Sequence, residues 1–396
     1  MMGRRAVCGL VVALGYAAML VTLARGELTT RAGNLSKLTT LAPDAVAFDA
    51  TTSDATTSDA TTFDVTAFNR STTAPNATTS VPTDGPVTYS GNVGCRLEGV
   101  PPKVTRVLGN INLLSCTFLT ATDLDVLSQL VEVSGDLFLQ SNDDLTNVDA
   151  LGSLTRVGGS LDIWQNPLLT SVDGLRSLAQ ISGNMSFYYN DALTNVDGLA
   201  NLTSVGSMLD VFDNDALANV DGLRSLTSVG GFLRFIVCHM QTRKLWYNSA
   251  LASVDEIGSL TRIGGGLFFY NNSALASVDG LKSLESVGGD LVIFNNTALA
   301  SVNGLGSLQS VAGDLEFRNN PALASVNGLE NLESVGGDFF FYYNLALTSV
   351  DGFGSLTSVG GGLRFYNNSA LNNVDGLGSL KSVGTDLEFL VRHTFW

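Results

Sequence analysis

Histidine is almost absent from these 396 residues; there are two, His239 and His393. A Ser/His/Asp hydrolase needs a His placed on a regular element, and neither lies on one, so that chemistry is excluded. Basic residues are also scarce. Lys and Arg total 21 against 37 Asp and Glu, the formal net charge is −16, and no basic run interrupts the balance. Such a surface repels nucleic acid and acidic membranes. Cysteine is limited to Cys8, Cys95, Cys116 and Cys238, with no CxxC spacing. That rules out a dense disulfide framework and gives no metal pattern. No P-loop or GxGxxG stands between a strand and a helix, so no nucleotide cofactor is implied. What remains is 45% apolar and 15% charged, enough for a large core or several domains.

The N-terminus begins with Arg4 and Arg5, continues as an apolar run from Ala6 to Leu23, and ends with Ala24 and Gly26 before Glu27. This is the pattern of a secretory signal peptide over residues 1–26; uncleaved, the same run is a signal anchor. Residues 27–90 are rich in Ser, Thr, Ala and Asp, as in TTSDATTSDATTFDVTAF, and have no apolar period. They cannot bury enough surface to offset their ordering entropy, and read as a disordered, mucin-like stalk.

A repeat follows. Asn142, Asn166, Asn190 and Asn214 are 24 residues apart, as are Asn272, Asn296, Asn320, Asn344 and Asn368. In the unit that starts at Asn296, the apolar residues are Leu299, Val302, Leu305, Leu308, Val311, Leu315 and Phe317. The first five are three apart and the last two are two apart. That predicts compact turns and one strand per rung, near 314–318. One rung cannot close a core, but stacked rungs can, each apolar position lying on its own kind. The fold class is therefore a mainly β repeat solenoid, a right-handed parallel β-solenoid with 24-residue rungs. Asn at a fixed inward corner is expected to satisfy backbone groups left open by the turn.

The cadence LxxLxxVxGxLxFxxNxxL resembles a leucine-rich repeat. Stretches such as LSQLVEVSGDLFLQSNDDL (127–145) and LESVGGDLVIFNNTAL (284–299) are similar, more closely, to the receptor L-domain family. The resemblance covers about residues 95–390 and implies an extracellular recognition fold. It departs from paired L-domains in having one array and no Cys-rich module between halves. Residues 91–134 read as the N-terminal cap and first rung, and 135–389 as the array. Cys116 falls where later rungs have Asn, and a Cys95–Cys116 disulfide is expected to close the cap.

Two segments break the period. Residues 236–246 match no other rung, and 390–396 replace the usual YNN run. Both are read as translated non-coding sequence, the alternative for the first being a genuine surface insertion. Cys238 and His239 alone make no metal site. The Asp column at Asp149, Asp173, Asp197, Asp221, Asp255, Asp279, Asp351 and Asp375 reads as turn chemistry in which Asp bonds its own backbone, since Asn303 and Asn327 take the same slot.

On the strand, Leu161 and Ile163 point inward, so Asp162 and Trp164 point outward. The Trp164 slot recurs as Tyr188, Phe212, Tyr270, Phe294, Arg318, Tyr342 and Tyr366. With Phe268 and Phe340 beside it, this predicts an exposed aromatic ribbon. The ribbon serves as a binding face for an extracellular protein or glycan, or as an intramolecular ladder that stabilises the sheet. Sequons place N-glycans at Asn34, Asn69, Asn76, Asn184, Asn201, Asn271, Asn295 and Asn367. The chain thus reads as a non-enzymatic, secreted or surface-displayed recognition module, the ectodomain of a receptor or adhesion protein. The alternative is a structural cell-surface or cell-wall glycoprotein without a discrete ligand. Membrane association would come from the N-terminal apolar segment or a further C-terminal part. No metal or cofactor is expected.

Overall fold

The computed structural model describes residues 85–97, 99–236 and 250–390. The signal segment, most of the stalk, Asn34, Asn69, Asn76, Cys238, His239 and His393 lie outside the described residues. Four-residue strands, from Ile111–Leu114 to Leu387–Leu390, form a 12-stranded parallel sheet. Two-residue strands such as Ser310–Val311 join Val87–Ser90 and Val104–Leu108 in a second, 13-stranded parallel sheet. Neighbours pair in register one rung apart, as Leu291 with Leu315 and Val287 with Val311. The solenoid is therefore the fold, but with two strands per rung rather than one. Ser-Val is too short to show a period of two, so in the sequence it looks like turn.

The core is one continuous apolar column. Leu299, Val302, Leu305, Leu308, Val311, Leu315 and Phe317 are all buried, as are their equivalents as far as Phe365; in the last described rung Val374, Leu387 and Phe389 are exposed. Each rung covers the next, which is why no rung is stable alone. The inward asparagines are buried with them. Asn296 donates from Nδ2 to the Phe269 carbonyl at 3.0 Å, and its Oδ1 accepts from the Asn272 N–H at 3.0 Å. One side chain thereby pairs a carbonyl and an N–H that would otherwise be buried without partners. At the cap, Cys116 takes this corner. Its N–H donates to Asn142 Oδ1 at 3.0 Å, and its sulfur is bonded to Cys95.

The Val-Asp-Gly turn is built differently from the sequence expectation. Asp173, Asp197 and Asp375 each open a short 3-10 turn, but the residue two before supplies the bond. The Asp173 N–H donates to Ser171 Oγ at 2.9 Å, and the Asp197 N–H to Asn195 Oδ1 at 3.1 Å. Glycine follows because the previous rung comes close. A Cβ on Gly222 would lie 1.7 Å from the Val196 carbonyl oxygen. The interior rung with Glu256 in that place is also the one without a 3-10 turn.

Three boundaries move. Val87–Ser90, placed in the stalk by composition, is a strand paired with Val104–Leu108. Its four residues are too few to shift the composition of the Ser/Thr-rich segment they end. Ile236 is not the start of the anomalous insertion but the last residue of strand Leu233–Ile236, paired with Tyr270. Leu233 pairs with Leu267, 34 residues on, so ten residues are extra and the stack passes them without a register shift. Leu390, placed in the anomalous end, likewise closes the strand Leu387–Leu390 and pairs with Tyr366.

Candidate functional site: the outer face of the 12-stranded sheet

Strand alternation puts Leu161 and Ile163 in the core and Asp162 and Trp164 on the other face. Pairing then aligns the outer residues in columns. Trp164 lies beside Tyr188, Tyr188 beside Phe212, Tyr270 beside Phe294, Phe294 beside Arg318, Arg318 beside Tyr342, and Tyr342 beside Tyr366. Ile236 fills the slot between Phe212 and Tyr270. The sequence reading missed it because the residues after it are foreign to the repeat.

The column is packed rather than exposed, which corrects the expected ribbon. Trp164 and Tyr188 stack at 5.1 Å and 17°, and Tyr188 and Phe212 at 4.9 Å and 16°. Tyr342 and Tyr366 are 4.8 Å apart. Phe212 is only 7% exposed, and Phe268 and Phe340 are buried. The cause is the rung spacing, roughly 4.8 Å, which brings neighbouring rings into contact, face to face from Trp164 to Phe212 and edge-on between Tyr270 and Phe294.

Charges share this face. Arg234 donates to both carboxylate oxygens of Asp210, at 2.6 and 2.5 Å. Arg318 Nε lies 3.0 Å from Glu316 Oε2 but out of line for a hydrogen bond, so the contact is one of charge. The Arg318 guanidinium also lies 5.1 Å from the Phe340 ring and 4.9 Å from Tyr342. Arg364 approaches Phe340 at 5.3 Å and bonds Asp386 at 2.9 Å. The Tyr366 hydroxyl donates to Glu388.

Desolvation is the leading cause of the titration shifts here. It pushes Glu316 up to about 7 against the pull of Arg318, with Asp314, Asp290 and Asp338 adding to the rise. It pushes Asp162 up to about 6 against a hydrogen bond from Ser186. Tyr188, Tyr270 and Tyr342 rise for the same reason, and Tyr366 rises to about 12. Carboxylates held this way are concentrated at sites with a task.

A second carboxylate column was overlooked. Asp290 Oδ1 accepts from the Asp314 N–H at 2.8 Å, Asp314 Oδ1 from the Asp338 N–H at 2.7 Å, and Asp338 Oδ1 from the Gly362 N–H at 2.6 Å. Each carboxylate thus ties down the next rung's backbone. A Cβ on Gly337 would meet the Asp314 carboxylate at 2.1 Å, which is why the motif reads GGD. The signal was the recurring Asp itself. Among the described residues, no three His, Cys, Asp or Glu converge as metal ligands.

The sequon asparagines within the described residues hold inter-rung bonds. Asn184 Oδ1 accepts from the Met208 N–H at 3.2 Å, Asn201 Nδ2 donates to the Arg176 carbonyl at 2.7 Å, and Asn295 Nδ2 donates to Asn271 Oδ1 at 2.8 Å. The Asn367 N–H donates to the Leu390 carbonyl. Among the described residues no helix is long and apolar enough to cross a membrane.

Comparison with known proteins agrees with the repeat. Residues 241–372 match the BspA type leucine rich repeat region in six copies. No curated protein matches the chain. Among solved structures, that of a TLR13–ssRNA13 complex is 14% identical, over 73% of this chain and 54% of that one, at a TM-score of 0.23. The chain thus spans about half the length of that protein, and so low a score carries no argument.

Proposed function

We propose, from a repeat array of the leucine-rich-repeat type, that the chain is an extracellular recognition module without catalytic activity. Its ligand is a protein or glycan bound on the outer face of the 12-stranded sheet. One observation carries this reading. Inner positions repeat from rung to rung, whereas the outer ones change, from Asp162 and Trp164 to Arg234 and Ile236 to Glu316 and Arg318. Packing needs the first set and not the second, so the outer face is individual where the core is generic. The desolvated carboxylates Glu316 and Asp162 lie on that face. Trp164, Tyr188, Phe212, Tyr270, Phe294, Arg318, Tyr342 and Tyr366 form its central column. Glycans at Asn184, Asn201, Asn271, Asn295 and Asn367 are part of the same reading. An N-linked sugar replaces one of two Nδ2 hydrogens and leaves the other for the inter-rung bond.

The ring stacks favour a second reading, a structural surface or wall glycoprotein, because rings that cover one another are already used. The two are separated by labelling the chain and titrating it against defined extracellular proteins and glycans. Saturable binding abolished in Trp164→Ala/Tyr188→Ala, with the circular dichroism of the fold retained, supports recognition. Retention in extracted wall material with no saturable ligand supports the structural role.

A further inference from the structure

We propose that Tyr343 and Asn319 form a subsite for a neutral sugar ring, on the turn that leaves the 12-stranded sheet. This site lies beside the outer face and does not depend on the reading given above.

Among the described residues, the first residue after each long strand has a left-handed backbone. Its φ is 55° at Ser141, 62° at Asn271, 56° at Asn295, 53° at Asn319, 58° at Tyr343 and 55° at Asn367. Asn takes this conformation at low cost, whereas a bulky residue adds roughly 1 kcal/mol of strain. Tyr189 and Tyr343 are the two bulky aromatic exceptions in the column. Tyr189 has a local reason, since its ring packs edge-on against Tyr188 at 5.6 Å. Tyr343 has none. Its ring contacts no other ring among the described residues, and it is 50% exposed. Leu345, two residues on, is 48% exposed. A strained, exposed aromatic that the core does not use points to a ligand.

The neighbouring rungs say which ligand. Asn295 Nδ2 donates to Asn271 Oδ1 at 2.8 Å, and Asn319 Nδ2 donates to Asn295 Oδ1 at 2.7 Å. The amide ladder is polarised in one direction. At the next rung Tyr343 replaces the amide, so the ladder stops. Asn319 is exposed and its side-chain Oδ1 is left open, one rung from the phenol ring, roughly 4.8 Å along the stack. An aromatic face takes the C–H face of a pyranose, and the open amide oxygen accepts a sugar hydroxyl. The turn itself carries no charge: residues 319–322, 343–346 and 367–370 read NNPA, YNLA and NNSA. A protein partner would need about 1,000 Å² of buried surface, more than one ring and one Leu supply.

The test uses the full chain made in bacteria, so that Asn295 and Asn367 carry no glycan. Cellotetraose, chitotetraose, maltotetraose and mannotetraose are titrated separately and followed by saturation-transfer NMR. At least one is expected to bind saturably, with a Kd of about 1 mM. Tyr343→Asn restores the residue used by other rungs and so keeps the fold; it is expected to weaken binding at least ~tenfold, the worth of one stacked ring. Tyr343→Phe keeps the ring and is expected to keep binding within about threefold, and Tyr189→Asn is expected to leave it unchanged. No saturable binding by any of the four sugars, or binding that survives Tyr343→Asn, overturns the assignment.

Discussion

Glu316 is a carboxylate on an outward strand position that is nonetheless buried, against Arg318 and next to Phe340 in the strand register. Desolvation raises it to about 7, so the folded chain keeps this proton to near neutrality, while the unfolded chain releases it around the ordinary glutamate value of 4.5. The direction follows. The folded state binds more protons between those limits, so the stability contributed by this group is full below about 4.5 and declines as pH rises to about 7. A rise of this size corresponds to roughly 3 kcal/mol. Asp162, raised to about 6, acts with the same sign. Glu316→Gln removes the ionisation and keeps the shape. The variant should gain a few kcal/mol over the parent at pH 8 and almost nothing at pH 4, read by urea unfolding at both. An equal effect at the two pH values would show that packing, not charge, is what the substitution changes.

At the scale of one rung, the tight element is the 3-10 turn. Gly222 lies where a Cβ would be 1.7 Å from the Val196 carbonyl oxygen. Gly222→Ala must push the two rungs apart, and is expected to cost about 3 kcal/mol, the upper end for overpacked cores. Thermal unfolding checks this, with Gly306→Ala as control, because a Cβ there meets its nearest atom at 3.5 Å. The turn shows what a rung discloses in its sequence. The apolar positions and the inward Asn were legible because each repeats with one role, and stacking gives that role a geometry. The pairing of Asn296 with Phe269 and Asn272 is the form the sequence implied. The Ser-Val strand was not legible, because two residues cannot show alternation. The Trp164 column was legible as a column, but its packing depended on ring tilt and rung spacing, neither of which a sequence states. The bond from Ser171 to the Asp173 N–H was hidden by the more conspicuous Asp. Tyr343 was passed over because a turn position gives no hint that its φ is positive.

For the array as a whole, stability is expected to behave as a sum of rungs and nearest-neighbour interfaces. Contacts support this, since every long strand pairs only with the strands on either side. A perturbation at one end should therefore stay there. The Cys95–Cys116 bond offers the means, because it closes a separation of 21 residues at the N-terminal cap. In the chain-entropy description such a loop contributes about 3 kcal/mol. Cys95→Ser/Cys116→Ser removes that constraint and keeps the Cys116 backbone N–H that donates to Asn142 Oδ1. Hydrogen exchange is the measurement, because it resolves strands separately. Protection should fall in Ile111–Leu114 and less in Leu137–Gln140, and stay at parent level in Leu291–Phe294. The gradient matters more than its size. If protection falls equally at all three strands, the solenoid unfolds as one cooperative body. A ligand held on any rung would then stabilise the whole array. If it falls only near the cap, each rung's outer residues act locally, and a binding patch can be altered without loosening the distant rungs.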